Sequence, residues 1–170
     1  SLWPCLYWAT FLHDFGKAMP GFQGVLRGDR RARDEWAGHR HEVFSLAFLD
    51  WLAPALDADD LAWAAAAIAS HHRDRDTILL SYPTLLEPGD PDPPAEVLAT
   101  LPARHVAGLY HWLASCGNAW AQKLGLDSLG VALVPFPAAP PPFRADGAAH
   151  RVRYWLAQYS RLVPSPGAGA

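Results

Sequence analysis

The sequence predicts an all-α fold, a helical bundle whose helices are joined by long Pro- and Gly-rich loops. Three observations predict it. Apolar residues recur at helical spacing in several stretches, no set of alternating strands can be picked out, and Pro and Gly gather between the apolar stretches. With 170 residues, 51% of them hydrophobic and eight of them Trp, the chain is long and apolar enough for one buried, aromatic-rich core. We expect one domain over residues 1–163, with PSPGAGA (164–170) as a flexible tail or linker.

Residues 3–15, WPCLYWATFLHDF, are apolar at helical spacing, with Pro4 suited to a first turn and Gly16 to a stop. This places His13 and Asp14 in the last turn of a buried helix. The segment that follows, KAMPGFQGVLRGDRRARDEWAG, reads as a turn-rich connection with at most a short helix. Its Arg27, Arg30, Arg31 and Arg33 stand among Asp29, Asp34 and Glu35. We read them as a solvated mixed-charge stretch, a phosphate-contacting loop being the alternative. Helical periodicity returns from about His41 to Leu52, before Pro54. Asp57, Asp59 and Asp60 supply N-terminal signals for LAWAAAAIASHH, a helix buried on most sides that ends in His71 and His72. Residues 73–94, which include LLEPGDPDPP, are predicted to form a long surface loop. Helix resumes over 95–124 with breaks near Pro102 and Gly117, VPFPAAPPPF (134–143) is extended or polyproline-like, and AAHRVRYWLAQYSRL forms a last amphipathic helix.

A formal charge of −3 advertises no global nucleic-acid affinity, so any such surface is local or created by bound cations. Cys5 and Cys116 are the only cysteines, too few for a disulfide framework and without metal-ligand spacing. No apolar run reaches the ~18 to 20 residues that span a bilayer. We therefore expect a cytoplasmic protein with no membrane partner.

The chemistry lies in two adjacent pairs, His13-Asp14 and His71-His72. Imidazole and carboxylate bind and share borderline divalent metals, and two such pairs at helix ends suggest one polynuclear site. Neighbouring side chains on a helix diverge by about 100°, so both pairs converge only on a site wide enough for two metals. Asp14 has the chemistry of the bridge between them. A His-His pair at the end of an Ala-rich buried helix needs polar partners in any case.

The blocks HDFGKAMPGFQ (13–23), RHEVFS (40–45) and AIASHH (67–72) resemble, in order, those of the HD nuclease domain of the CRISPR-associated helicase-nuclease of type I systems, within the HD superfamily of metal-dependent phosphohydrolases. The resemblance implies an HD-domain helical bundle. It implies His13, Asp14, His41, His71 and His72 as metal ligands for one or two divalent transition-metal ions (Mn, Ni, Co or Fe, with Mg or Zn as further candidates). Lys17 is implied beside the site to neutralise a phosphate or leaving oxygen, a helix-end lysine being the alternative reading. Ser45, one turn from His41, is placed to support a ligand, and Phe22 and Gln23 to fix the loop over the site. The block YHWLAS (110–115) puts His111 where the family pattern carries a ligating Asp, with Ser115 as its candidate support. Arg73 stands where a small residue, often Gly, usually follows the His pair, and no histidine precedes His13 here. His39, His105 and His150 are given no role.

The implied function is metal-dependent phosphodiester hydrolysis degrading single-stranded DNA in CRISPR interference. A helicase domain or subunit would feed the strand and an RNA-guided surveillance complex would expose it. Two alternatives stand beside it: a nucleotide phosphohydrolase of the wider superfamily, and a degenerate HD domain acting only as a docking module.

Overall fold

A computed structural model describes residues 2–164, and among them there are helices and no strands, an all-α fold as the periodicity predicts. Helix α1 (Leu2–Leu12) buries Trp8, Ala9, Phe11 and Leu12 and is followed by a 3₁₀ turn, Phe15–Ala18. Two short helices come next, α2 (Pro20–Leu26) and α3 (Arg30–Trp36), where the sequence suggests at most one. Pro20 starts the first of them, its missing N–H harmless in an opening turn. Asp29 starts the second by accepting from the Arg31 and Ala32 amides. Gly24 lets the two cross closely, since a Cβ there would lie 2.3 Å from that of Ala32.

The expected helix over 41–52 is divided into α4 (His41–Ser45) and a 3₁₀ segment, Leu46–Leu52, buried at Leu46, Phe48, Leu49 and Leu52. Helix α5 (Ala58–Ser70), capped by Asp57, is the centre of the bundle. Its Ala64, Ala65, Ala66 and Ala69 are almost fully buried, and their small side chains allow α1, α4 and the C-terminal helix to approach it closely. The predicted loop over 73–94 holds another helix, α6 (Arg75–Ser81), because Asp74 caps it and Ile78 anchors it in the core.

Beyond it come α7 (Pro93–Ala99), α8 (Ala103–Trp112), a π-helical turn (Leu113–Gly117) and α9 (Asn118–Lys123). A break falls at Pro102, as the sequence suggests, but not near Gly117, where the chain stays helical and passes through the π turn into α9. Gly117 is required there, since a Cβ would meet the Trp8 ring at 2.7 Å. Residues 131–143 run without helix or strand, and α10 (Ala145–Leu162) closes the bundle against α5 and α7. Trp155 donates to Asp50, and one core joins Trp8 to Tyr159. No helix among the described residues is long and apolar enough to cross a membrane. Of the expected tail, residues 165–170 lie outside the described residues.

Candidate metal centre

Three chain segments meet at one end of the bundle. His13 and Asp14 follow α1, His71 and His72 follow α5, and His41 opens α4. The C-terminal ends of α1 and α5 carry the negative ends of their dipoles, a setting that favours a cation. Gly16 sets the spacing, because a Cβ on it would lie 1.9 Å from the His41 carbonyl oxygen. Ser45, fully buried, ties the segments together: its hydroxyl accepts from the Gly16 amide at 2.8 Å and lies 2.8 Å from the His13 and 3.0 Å from the His41 carbonyl oxygens. It therefore supports the two candidate ligand residues through their backbones rather than their rings. Gln23 holds the turn from the other side, donating to the Lys17 carbonyl at 2.7 Å, and the Phe22 ring lies 5.5 Å from that of His41.

Hydrogen bonding sets which ring nitrogens face inward. His13 Nδ1 lies 2.6 Å from the Thr10 carbonyl and His71 Nδ1 lies 2.6 Å from that of Ile68. A carbonyl accepts only, so each Nδ1 carries the proton and each Nε2 keeps its lone pair. His41 Nδ1 faces Glu42 Oε2 at 3.4 Å, and its Nε2 faces Asp14 Oδ1 at 3.2 Å. The other Asp14 oxygen, Oδ2, lies 3.2 Å from His13 Nε2 and accepts from Lys17 Nζ at 2.8 Å. Each carboxylate oxygen thus looks at a different histidine, the disposition a bridging carboxylate needs.

Asp14 Oδ1, His41 Nε2 and His71 Nε2 are all buried and without a hydrogen-bond partner. Polar atoms so placed are costly unless something satisfies them. Asp14 Oδ1 and His41 Nε2 lie 3.2 Å apart and His71 groups with each of them in turn, a gathering of nitrogen and oxygen atoms that fits a cation. Two triads have their ligand atoms within 4.8 Å of one another, His13/Asp14/His71 and His41/His71/His72. His71 belongs to both but offers one lone pair, enough for one ion at most, and Asp14 is the group able to join two. Nitrogen and oxygen donors in this mixture suit divalent transition metals.

The protonation states agree with this use. Burial lowers the pKa of His41 and outweighs the opposing pull of Glu42 and Asp14. Burial likewise lowers His71, with His72 and His13 adding to the effect against the Ile68 hydrogen bond. For Asp14, burial acts upward, but the Lys17 hydrogen bond and the neighbouring His13, Lys17 and His41 outweigh it and hold the carboxyl below its usual range. Neutral imidazoles around a carboxylate are the ligand forms.

His13, Asp14, His41, His71 and His72 are therefore brought together, with Lys17 on Asp14. The structure does not bring His111 to them. The phase of α8 is set by Trp112, which packs 4.3 Å from Phe11 and 5.8 Å from Phe15, leaving His111 exposed on the side of Val134, Phe136 and Pro137. Ser115 bonds the carbonyl of His111 at 2.7 Å and not its ring. His39 packs between Trp36 and Phe44, His105 is half-buried on α8, and His150 is exposed. Glu42 is the residue the sequence reading misses: 1% exposed, it backs His41 while its Oε1 has no partner. The signal was its place directly after His41 in RHEVFS.

A family model described as "Cas3, HD domain" matches residues 3–123, which include every residue of the cluster. Neither curated proteins nor solved structures give a match.

Proposed function

Because the chain belongs to the family of Cas3 HD domains, we propose that it is a metal-dependent nuclease that degrades single-stranded DNA in type I CRISPR interference. It works beside a helicase, as a domain or subunit, and an RNA-guided surveillance complex that exposes the strand. The observation that carries the reading is that potential ligand atoms of His13, Asp14 and His71, and of His41, His71 and His72, lie within 4.8 Å of one another, with Asp14 Oδ1, His41 Nε2 and His71 Nε2 buried and unpartnered. His13, Asp14, His41, His71 and His72 would hold one or two divalent ions, Mn, Ni, Co or Fe by their donor set. Such ions supply a nucleophile from water at neutral pH and draw charge from the phosphoryl oxygens.

The chain's own residues do the rest. The backbone carbonyls of Thr10 and Ile68 hold two imidazoles in the tautomer that presents Nε2. Lys17 fixes the rotamer of Asp14 and has further N–H groups to offer a phosphate or the departing oxygen. His72 is exposed and Asp14 and Lys17 are each 39% exposed, so a polymer can reach the centre, whereas a nucleotide phosphohydrolase wants an enclosing pocket. No base-reading surface is invoked, and little sequence preference is expected.

The test is cleavage of a single-stranded oligonucleotide with Mn²⁺, Ni²⁺ or Co²⁺. Cleavage is expected to vanish in EDTA and in His71→Ala and His72→Ala and to persist in His150→Ala, with duplex resistant and free mononucleotides poorly turned over. Equal cleavage in EDTA, or preference for mononucleotides, would overturn the reading.

A further inference from the structure

Beside the metal centre lies an open cleft of about 440 Å³, lined by Phe22, Trp36, Arg40 and Arg73 together with His41 and His72 of the centre itself. Its two arginines arrive with the candidate ligands. Arg40 directly precedes His41 and Arg73 directly follows His72, so the segments that deliver imidazoles to the metals deliver cations to the cleft. Arg40 is further fixed at its backbone, whose amide donates to the buried Tyr82 hydroxyl at 2.9 Å.

Among the described residues neither Arg40 nor Arg73 has a carboxylate partner, which also holds for Arg27, Arg30, Arg33, Arg104 and Arg161; what sets these two apart is their place beside the centre. The acidic residue in the lining, Glu42, is buried and turned onto His41. Two unpaired guanidiniums beside a phosphodiester-cleaving centre are suited to a second phosphate, which their planar forks bind with charge-assisted hydrogen bonds. Phe22 and Trp36, edge to face at 5.8 Å and each half-buried, add an aromatic wall for a sugar or base.

Resting on the nuclease reading above, we propose that this cleft is a subsite for the nucleotide adjoining the scissile phosphate, its phosphate held by Arg73 and Arg40. The chain then takes oligonucleotides of two or more phosphates in preference to single diesters.

Two measurements on the full chain test it. The first is binding of a fluorescein-labelled hexathymidylate to the metal-free protein by anisotropy, and the second is metal-dependent hydrolysis of bis(p-nitrophenyl) phosphate, which has one phosphate and no neighbour for the cleft. Arg73→Ala, Arg73→Gly and Arg40→Ala should each weaken hexathymidylate binding about tenfold. Each should also lower the slope of log affinity against log salt by roughly 0.7, and leave hydrolysis of the small diester within twofold. Unchanged affinity and slope in the exposed-site variant Arg73→Ala would overturn the subsite, as would an equal loss on both substrates. Arg73-dependent binding by a protein that hydrolyses neither substrate would leave the subsite standing and overturn the nuclease reading.

Discussion

His41 stands between two carboxylates, Asp14 Oδ1 3.2 Å from Nε2 and Glu42 Oε2 3.4 Å from Nδ1. A carboxylate behind a ligating imidazole fixes its tautomer and raises its basicity, and loss of such a partner typically weakens metal binding about 10- to 100-fold. Glu42→Ala is expected to lower metal affinity by that amount in calorimetric titration, with Glu42→Gln, which keeps an acceptor, in between. Equal affinities would remove Glu42 from the centre. Lys17→Ala should lower kcat by roughly 10²-fold, as when one donor to developing charge is lost, while metal content stays the same; loss of metal instead would mean that Lys17 acts only by holding Asp14. His13, Asp14, His71 and His72 were legible in the sequence because paired imidazole and carboxylate announce their chemistry, whereas His41 was reached only through the resemblance of RHEVFS to the family's block. Glu42 was not legible, because an acid in a first helical turn is usually an exposed partner of the dipole, and its place after His41 becomes telling only together with its 1% exposure. His111 misleads for a related reason: motif alignment gives a position, while the face it occupies is decided by the packing of Trp112 on Phe11.

Among the elements, the short ones position the site and were the hardest to read. Helices α2, α3 and α6 have seven residues each, barely two turns, so no periodicity can establish them. Their signals were local, Pro20 and the caps Asp29 and Asp74, and these residue types serve loops equally well. Helix α5 was plain because its apolar run spans three turns and opens on aspartates. The contact of the 3₁₀ turn with α4 is where an element most directly controls the centre. Gly16→Ala places a Cβ against the His41 carbonyl and should destabilise the protein by about 1–3 kcal/mol through overpacking, read by denaturant unfolding. Metal affinity should fall with it, since His41 must move. A variant of unchanged stability would contradict this packing.

For the whole molecule, the bundle itself was legible, since apolar spacing shows that helices form and which faces they bury. Spacing is silent on partners, so the seating of α10 over α5 and α7 emerges only from the structure. Stability is linked to the centre in two ways. His41 and His71 have pKa values below the ordinary histidine range, so as pH falls below about 6.5 the unfolded chain takes up protons that the fold resists. Metal-free protein should therefore lose stability on acidification from neutral pH through that window, and Asp14, also lowered, should extend the loss further into acid. A flat or rising profile would contradict the buried neutral imidazoles. Bound metal should raise the melting temperature, by a free energy of about 2.7 kcal/mol at a hundred times Kd. The most direct test of the central claim is the metal content of the reconstituted, desalted chain by elemental analysis, wild type against Asp14→Ala. We predict about one to two transition-metal ions per wild-type molecule, as a site of this donor set holds, and loss of most of them in Asp14→Ala. Substoichiometric metal that Asp14→Ala leaves unchanged would contradict a centre built around that carboxylate.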